Sequence, residues 1–166
     1  MPLPSAPVLI LGLGNDILTD DAVGLRVVDA ARARLAGETR IEARTTTEMG
    51  LALLDEIADR TSLVLVDAVQ TGQAPAGRIS EMHPSELTGP LASAPHFLGI
   101  RETLALGEKL GLSMPRQVRI VAIEVADPYT LGTELTPAVA AAVAAAAARV
   151  VAIAQGFAES RPPVAT

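Results

Sequence analysis

The chain has 166 residues, a formal net charge of −6 and an apolar fraction of 49%. That length suits one compact domain with a sizeable core, and the acidic balance disfavours broad nucleic-acid or anionic-membrane binding, since both need a basic face. The absence of cysteine excludes disulfides, zinc–thiolate sites and thiol nucleophiles. With one tyrosine, two phenylalanines and no tryptophan, the core must be built from Leu, Val, Ile and Ala.

The start, Met1 to Pro7, lacks the basic and apolar regions of a signal peptide. Val8 to Leu11 is a continuous apolar run, the pattern of a strand buried on both faces. It ends in the turn Gly12-Leu13-Gly14-Asn15 and is followed by Asp20 and Asp21. From Asp21 the pattern is helical, with Val27, Val28, Ala31 and Leu35 on one stripe and Gly37 as the stop. Arg40 to Ala43 reads as a weaker second strand, and Thr45 with Glu48 fits a capping box opening a helix with Leu53, Leu54 and Ile57 inward. Ser62 to Asp67 is a third strand that ends on a carboxylate. Gly72 to Gly77 is a loop, and Arg78 to Met82 reads as an antiparallel edge strand because its connection is short. Pro84 to Pro95 is irregular, His96 to Leu110 is helical in spacing, and Gly111 ends that helix. Val118 to Glu124 is a late strand, and Thr136-Pro137 opens a last, alanine-rich helix. Its apolar stretch, Pro137 to Ala154, is broken by Arg149 and reads as a docking helix in preference to a membrane span. Strands alternating with helices predict an α/β fold, a three-layer α/β/α domain with a mostly parallel twisted sheet of about five strands. Residues 1–155 are expected to form that domain and 156–166 a frayed tail.

A Gly-x-Gly turn after a strand usually cradles phosphate, because bare backbone lets N–H groups approach an anion. Here two negative charges follow the turn, which repel phosphate and attract a cation. In an open parallel sheet, ligands collect at the carboxyl ends of the strands. Asp20, Asp21 and Asp67 are fed to that edge, and His96, one of two histidines, stands at the start of a predicted helix. Two carboxylates and an imidazole suit zinc, nickel, manganese or iron and leave coordination positions open. Each residue also has a plainer use. Asp20 and Asp21 can favour a helix N-terminus, Asp67 can bond a loop, and His96 and His83 can be surface or capping residues. Asn15 is expected to tighten the turn, with Gly12 and Gly14 permitting its backbone path. No Gly-x-Ser-x-Gly elbow, His-Glu-x-x-His helix or Gly-Lys-Ser/Thr phosphate loop is present.

With these residues in view, the chain resembles the nickel–iron hydrogenase maturation endopeptidases. Gly12-Leu13-Gly14-Asn15 through Thr19-Asp20-Asp21 and Gly24 is similar to that family's N-terminal signature. Leu65-Val66-Asp67-Ala68, Ala94-Pro95-His96 with Leu98-Gly99, and Leu135-Thr136-Pro137 are similar to its later motifs, in the same order. The resemblance implies a twisted sheet flanked by helices. It also implies removal of a C-terminal extension from a hydrogenase large-subunit precursor after nickel has been installed. The metal-contacting positions then correspond to Asp21, Asp67 and His96, and Gly12, Gly14, Asn15 and Asp20 are expected around the substrate. Nickel would arrive within the precursor, leaving the isolated protein metal-free. A cytoplasmic monomer is expected, with no nucleic-acid or membrane partner. Two departures are visible. Thr45 to Gly50 replaces a glycine-rich segment, and Ala122-Ile123-Glu124-Val125 lacks a framing glycine and proline, which suggests a subgroup with a different hydrogenase partner.

Two other readings compete. A non-catalytic nickel-binding assembly factor could use the same three residues. The Gly-Leu-Gly-Asn turn is also similar to the start of peptidyl-tRNA hydrolases, but those need a basic surface for RNA.

Overall fold

The computed structural model describes residues 6–88 and 99–160. Five strands form one sheet in the order β2-β1-β3-β5-β4. They are β1 (Val8–Leu13), β2 (Ile41–Thr46), β3 (Ser62–Val69), β4 (Ile79–Met82) and β5 (Gln117–Glu124). The first, second, third and fifth run parallel, and β4 lies antiparallel on the β5 edge. The helices are α1 (Val23–Arg34), α2 (Leu53–Ile57), α3 (Ile100–Lys109) and α4 (Pro137–Glu159). The chain moves outward from β1 to β2 and then returns to place β3 on the other side of β1. The switch point of the sheet therefore lies between β1 and β3, where ligands of such sheets bind.

Side-chain alternation sorts the core by residue type. Val8, Ile10, Val64, Val66, Val121 and Ile123 face α1 and α4. Leu9, Leu11, Leu13, Leu63, Leu65 and Ile120 face the opposite cluster, which includes Leu53 and Ile57 of α2 and Ile100 of α3. β1 and β3 are buried along their whole length, as continuous apolar runs require when helices cover both faces. Asp67 has the parity of Leu63 and Leu65, so it extends the α2–α3 face of the sheet to its carboxyl end.

The expected stripe of Val27, Val28 and Ala31 is buried on α1, and Gly37 adopts φ 84° just beyond it. Two local expectations are corrected. Thr45 and Thr46 lie within β2, paired with Gly12 and Leu13, so no capping box forms there. The Thr46 hydroxyl accepts instead from the Glu48 N–H at 3.0 Å, a turn that leads to a 3-10 segment at Gly50–Ala52. The tail expected from Gly156 is helical through Glu159, because Ala154 and Ala158 still find the α1-side core. The predicted start of the third long helix at His96 lies outside the described residues; the described helix begins at Ile100. α4 is long and apolar enough by composition to cross a membrane. It instead packs Val139, Ala146, Ala147, Val150 and Ala154 against the sheet with no exposed surface.

Candidate active site

The glycines of the first turn let three backbones meet at the switch point. A Cβ on Gly12 would sit 2.6 Å from the Gly24 carbonyl oxygen. A Cβ on Gly24 would sit 2.4 Å from the Leu13 oxygen and 2.6 Å from the Val66 oxygen, so the first turn of α1 lies directly on the ends of β1 and β3. A Cβ on Gly14 would sit 2.3 Å from the Asp21 oxygen, so the glycine turn carries the Asp21 backbone on its surface. Gly12 and Gly14 are buried and act through this close approach. Asn15 accepts from the Ile17 N–H at 3.2 Å, the side-chain turn that its sequence position predicted.

Asp21 lies in the 3-10 turn Thr19–Ala22 that precedes α1 and is half-buried. Its N–H donates to the Leu18 carbonyl at 2.7 Å. Asp67 follows Val66 on β3, is wholly buried, and accepts from the Ala68 N–H at 2.7 Å. The two carboxylates thus belong to neighbouring strand ends at one edge of the sheet. His96 lies outside the described residues. Among the described residues, no three acidic, histidine or cysteine side chains form a metal-holding cluster.

Asp20 does something different from its neighbour. It has no exposed surface, and its carboxylate accepts from the N–H of Ala126 at 3.0 Å, of Asp127 at 2.9 Å and of Thr136 at 2.7 Å. The Thr136 hydroxyl donates to it as well, at 2.8 and 2.9 Å. Thr136 holds the N-cap position of α4, so this anion sits at the positive end of a 23-residue helix. Further bonds tie the same loops: Asp20 N–H to Asp127 oxygen at 3.0 Å, Thr19 N–H to Gly132 oxygen at 3.1 Å and Gly132 N–H to Ile17 oxygen at 3.0 Å. Asp20, one of the residues expected around the substrate, is thus held inside the protein. It is an internal clamp between the Asp21 turn and the β5–α4 loop, and its oxygens are committed to protein donors.

Glu124, at the end of β5, is a second clamp that the sequence reading did not single out. It is buried and accepts from the N–H groups of Thr71 and Gly72 at 2.8 and 2.9 Å and from the Thr71 hydroxyl at 2.9 Å. A carboxylate closing an apolar strand was the available signal, the same one that marked Asp67. His83 lies elsewhere. Met82 pairs with Ile120 while Asp67 pairs with Ala122, so the antiparallel β4 leads His83 away from the carboxyl edge. Its Nδ1 accepts from the Ser85 N–H, and its own N–H donates to Glu86 at 2.6 Å, a capping role.

An α/β protein with paired acids at the switch point of its sheet is the class that fold and site define. Comparison with known proteins narrows it. The family described as HycI, hydrogenase maturation protease, matches residues 45–153. The hydrogenase 2 maturation protease of Escherichia coli is 30% identical over 149 residues, covering 87% of this chain and 88% of that protein. Among solved structures, the hydrogenase maturating endopeptidase HybD from E. coli superposes with a TM-score of 0.72 at 26% identity, covering 90% of this chain and 93% of that one. HybD from Thermococcus kodakarensis, a [NiFe] hydrogenase maturation protease, superposes with a TM-score of 0.62 at 26% identity, covering 91% and 98%. The chain belongs to the hydrogenase maturation protease family. It is accordingly a peptidase whose substrate is a hydrogenase precursor, which sets aside the peptidyl-tRNA hydrolase reading.

Proposed function

We propose that this chain is an endopeptidase that removes a C-terminal extension from the nickel-loaded large-subunit precursor of a [NiFe] hydrogenase. The observation that carries the reading is the meeting of the Asp21 turn and the Asp67 strand end at the switch point, enforced by backbone contacts at Gly14 and Gly24. Asp21, Asp67 and His96 are the residues assigned to the precursor's nickel. Carboxylate and imidazole donors suit such an ion and leave positions on it for the precursor's own ligands. Nickel is part of the substrate in this scheme and marks a precursor as ready for cleavage. Holding the ion at the sheet edge fixes the precursor's tail there, and hydrolysis adds water across the scissile amide to give a new carboxylate and a free amine. The reading includes a monomer working in the cytoplasm.

The test is the intact mass of a large-subunit precursor incubated with the purified chain, with and without nickel. Loss of one defined C-terminal peptide from the nickel-loaded form alone supports the reading. Tight nickel binding by the isolated chain, with no mass change in the partner, would instead establish a binding factor.

A further inference from the structure

Among the described residues, the exposed large apolar side chains are Ile17, Met49, Leu51, Leu110, Leu112, Tyr129 and Leu131, and three of these seven come together. Ile17 is 54% exposed, Tyr129 74% and Leu131 76%, and all three belong to the two loops that the Asp20 clamp joins. Leu18 forms bridges with Leu131 and Gly132. The Leu18 carbonyl accepts from the Asp21 N–H, so the patch adjoins the acid assigned to the metal. A folded macromolecule that brings an ion to Asp21 is therefore set beside this patch.

The loops hold them in place. Asp127 accepts from the N–H groups of Tyr129 and Thr130 at 3.0 and 2.9 Å, and the Thr19 hydroxyl donates to the Thr130 oxygen at 2.6 Å. The carbonyls of Ile17 and Leu18 and both polar backbone groups of Gly132 are also bonded within the loops. An extended tail docks by strand addition only where backbone donors and acceptors are free. Here they are largely spent, and what remains to offer is side-chain surface on an ordered backbone. Ordered aromatic and aliphatic side chains are efficient anchors, since little conformational entropy is lost when they are covered.

We infer that Ile17, Tyr129 and Leu131 form a docking surface for the folded part of the metal-bearing precursor, an apolar patch beside its metal, and not for the tail that is cut off. This inference rests on the protease reading for its partner.

The experiment compares wild type, Tyr129→Ser/Leu131→Ser, and a control, Leu110→Ser/Leu112→Ser. The control residues are also exposed. They lie near Ser113, whose carbonyl accepts from Asp59 ahead of β3, at the opposite edge of the sheet. Affinity for nickel-loaded precursor and for a synthetic peptide of its extension is measured by calorimetry, and processing by intact mass. The patch variant should bind precursor at least about ten-fold more weakly, as loss of anchor side chains does. The control should bind like wild type, and no variant should alter peptide binding. Unchanged melting temperatures confirm that the substituted chains are folded.

Wild-type affinity in the patch variant overturns the inference while leaving the protease reading intact. A weakening seen equally with the peptide overturns the assigned occupant. Binding without cleavage by wild type overturns the protease reading, and the patch is then judged on affinity alone. A wild type that neither binds nor cleaves overturns both.

Discussion

Replacing Asp20 by Asn should cost more stability than its isosteric shape suggests. The carboxylate receives three backbone N–H groups and one hydroxyl. An Asn carbonyl can keep the Ala126 and Asp127 donors, and its amide can donate to the Thr136 oxygen if that hydroxyl rotates. The Thr136 N–H, now 2.7 Å from an acceptor, would then face an amide nitrogen and lose its partner. A buried donor left unsatisfied costs about 1–3 kcal/mol, and weakening of the retained charge-assisted bonds adds to this. The expected loss is about 2–4 kcal/mol on these terms. For a domain of this size each kcal/mol lowers Tm by about 2–4 °C, so a fall of about 4–16 °C follows. Circular dichroism melting and urea titration measure both quantities. A double-mutant cycle with Thr136→Ala should show coupling, because the two residues share the bonds being removed. An Asp20→Asn protein melting within about 1 °C of wild type would refute the clamp, since one orphaned donor alone exceeds that shift.

Gly14→Ala places a Cβ against the Asp21 carbonyl, 2.3 Å away in the present geometry, so the turn must move. Overpacking of this kind costs about 1–3 kcal/mol, and precursor processing should fall further than the melting temperature accounts for. Asp127 titrates below its ordinary value of 3.8, chiefly because the Thr130 hydroxyl donates to it and then because the Thr130 and Tyr129 N–H groups do. A carboxylate depressed on folding contributes stability above its unfolded pKa and loses it as pH falls through the folded one. The amide resonances of Tyr129 and Thr130 should therefore stay constant from neutral pH down to that region and move together below it, and Asp127→Asn should remove the transition. Asp21→Asn and His96→Ala should each abolish processing of nickel-loaded precursor with little change in Tm. Undiminished processing by His96→Ala would end the three-ligand assignment.

The layer order and most elements could be read from the sequence, because they depend on burial. Val8–Leu13 and Ser62–Val69 are buried at every position, and such runs announce themselves as apolar strings. β2 was harder to delimit. Its residues are mostly half-exposed, and Thr45 and Thr46 satisfy a capping pattern as readily as a strand. Tertiary pairing with Gly12 and Leu13 decided between the two. The end of α4 was missed for a related reason: Gly156 signals a stop locally, but Ala158 still has a core to reach. The site divided along the same line. Asp21 and Asp67 were visible as acids at strand ends. The separate work of Asp20 was not, because its donors come from Ala126, Asp127 and Thr136, more than a hundred residues away.

Adjacent as they are, Asp20 and Asp21 differ in burial, the first enclosed and the second half-buried. A 3-10 turn advances about 120° per residue, so neighbours in it point in different directions. Asp20 faces the protein, where N–H dipoles and the start of α4 offset its charge. Glu124 is offset in the same way by the loop at Thr71 and Gly72. A carboxylate whose charge is offset by fixed backbone dipoles is buried at less cost than a bare one. Asp20 and Glu124 brace the loops at this edge without claiming a cation. Asp21 lies on the outer side of the same turn, and Asp67 lies at the strand end beneath it. Exchanging the roles would require the Asp20 donors to migrate with the charge, so removing Asp20 should not be rescued by the acid next to it.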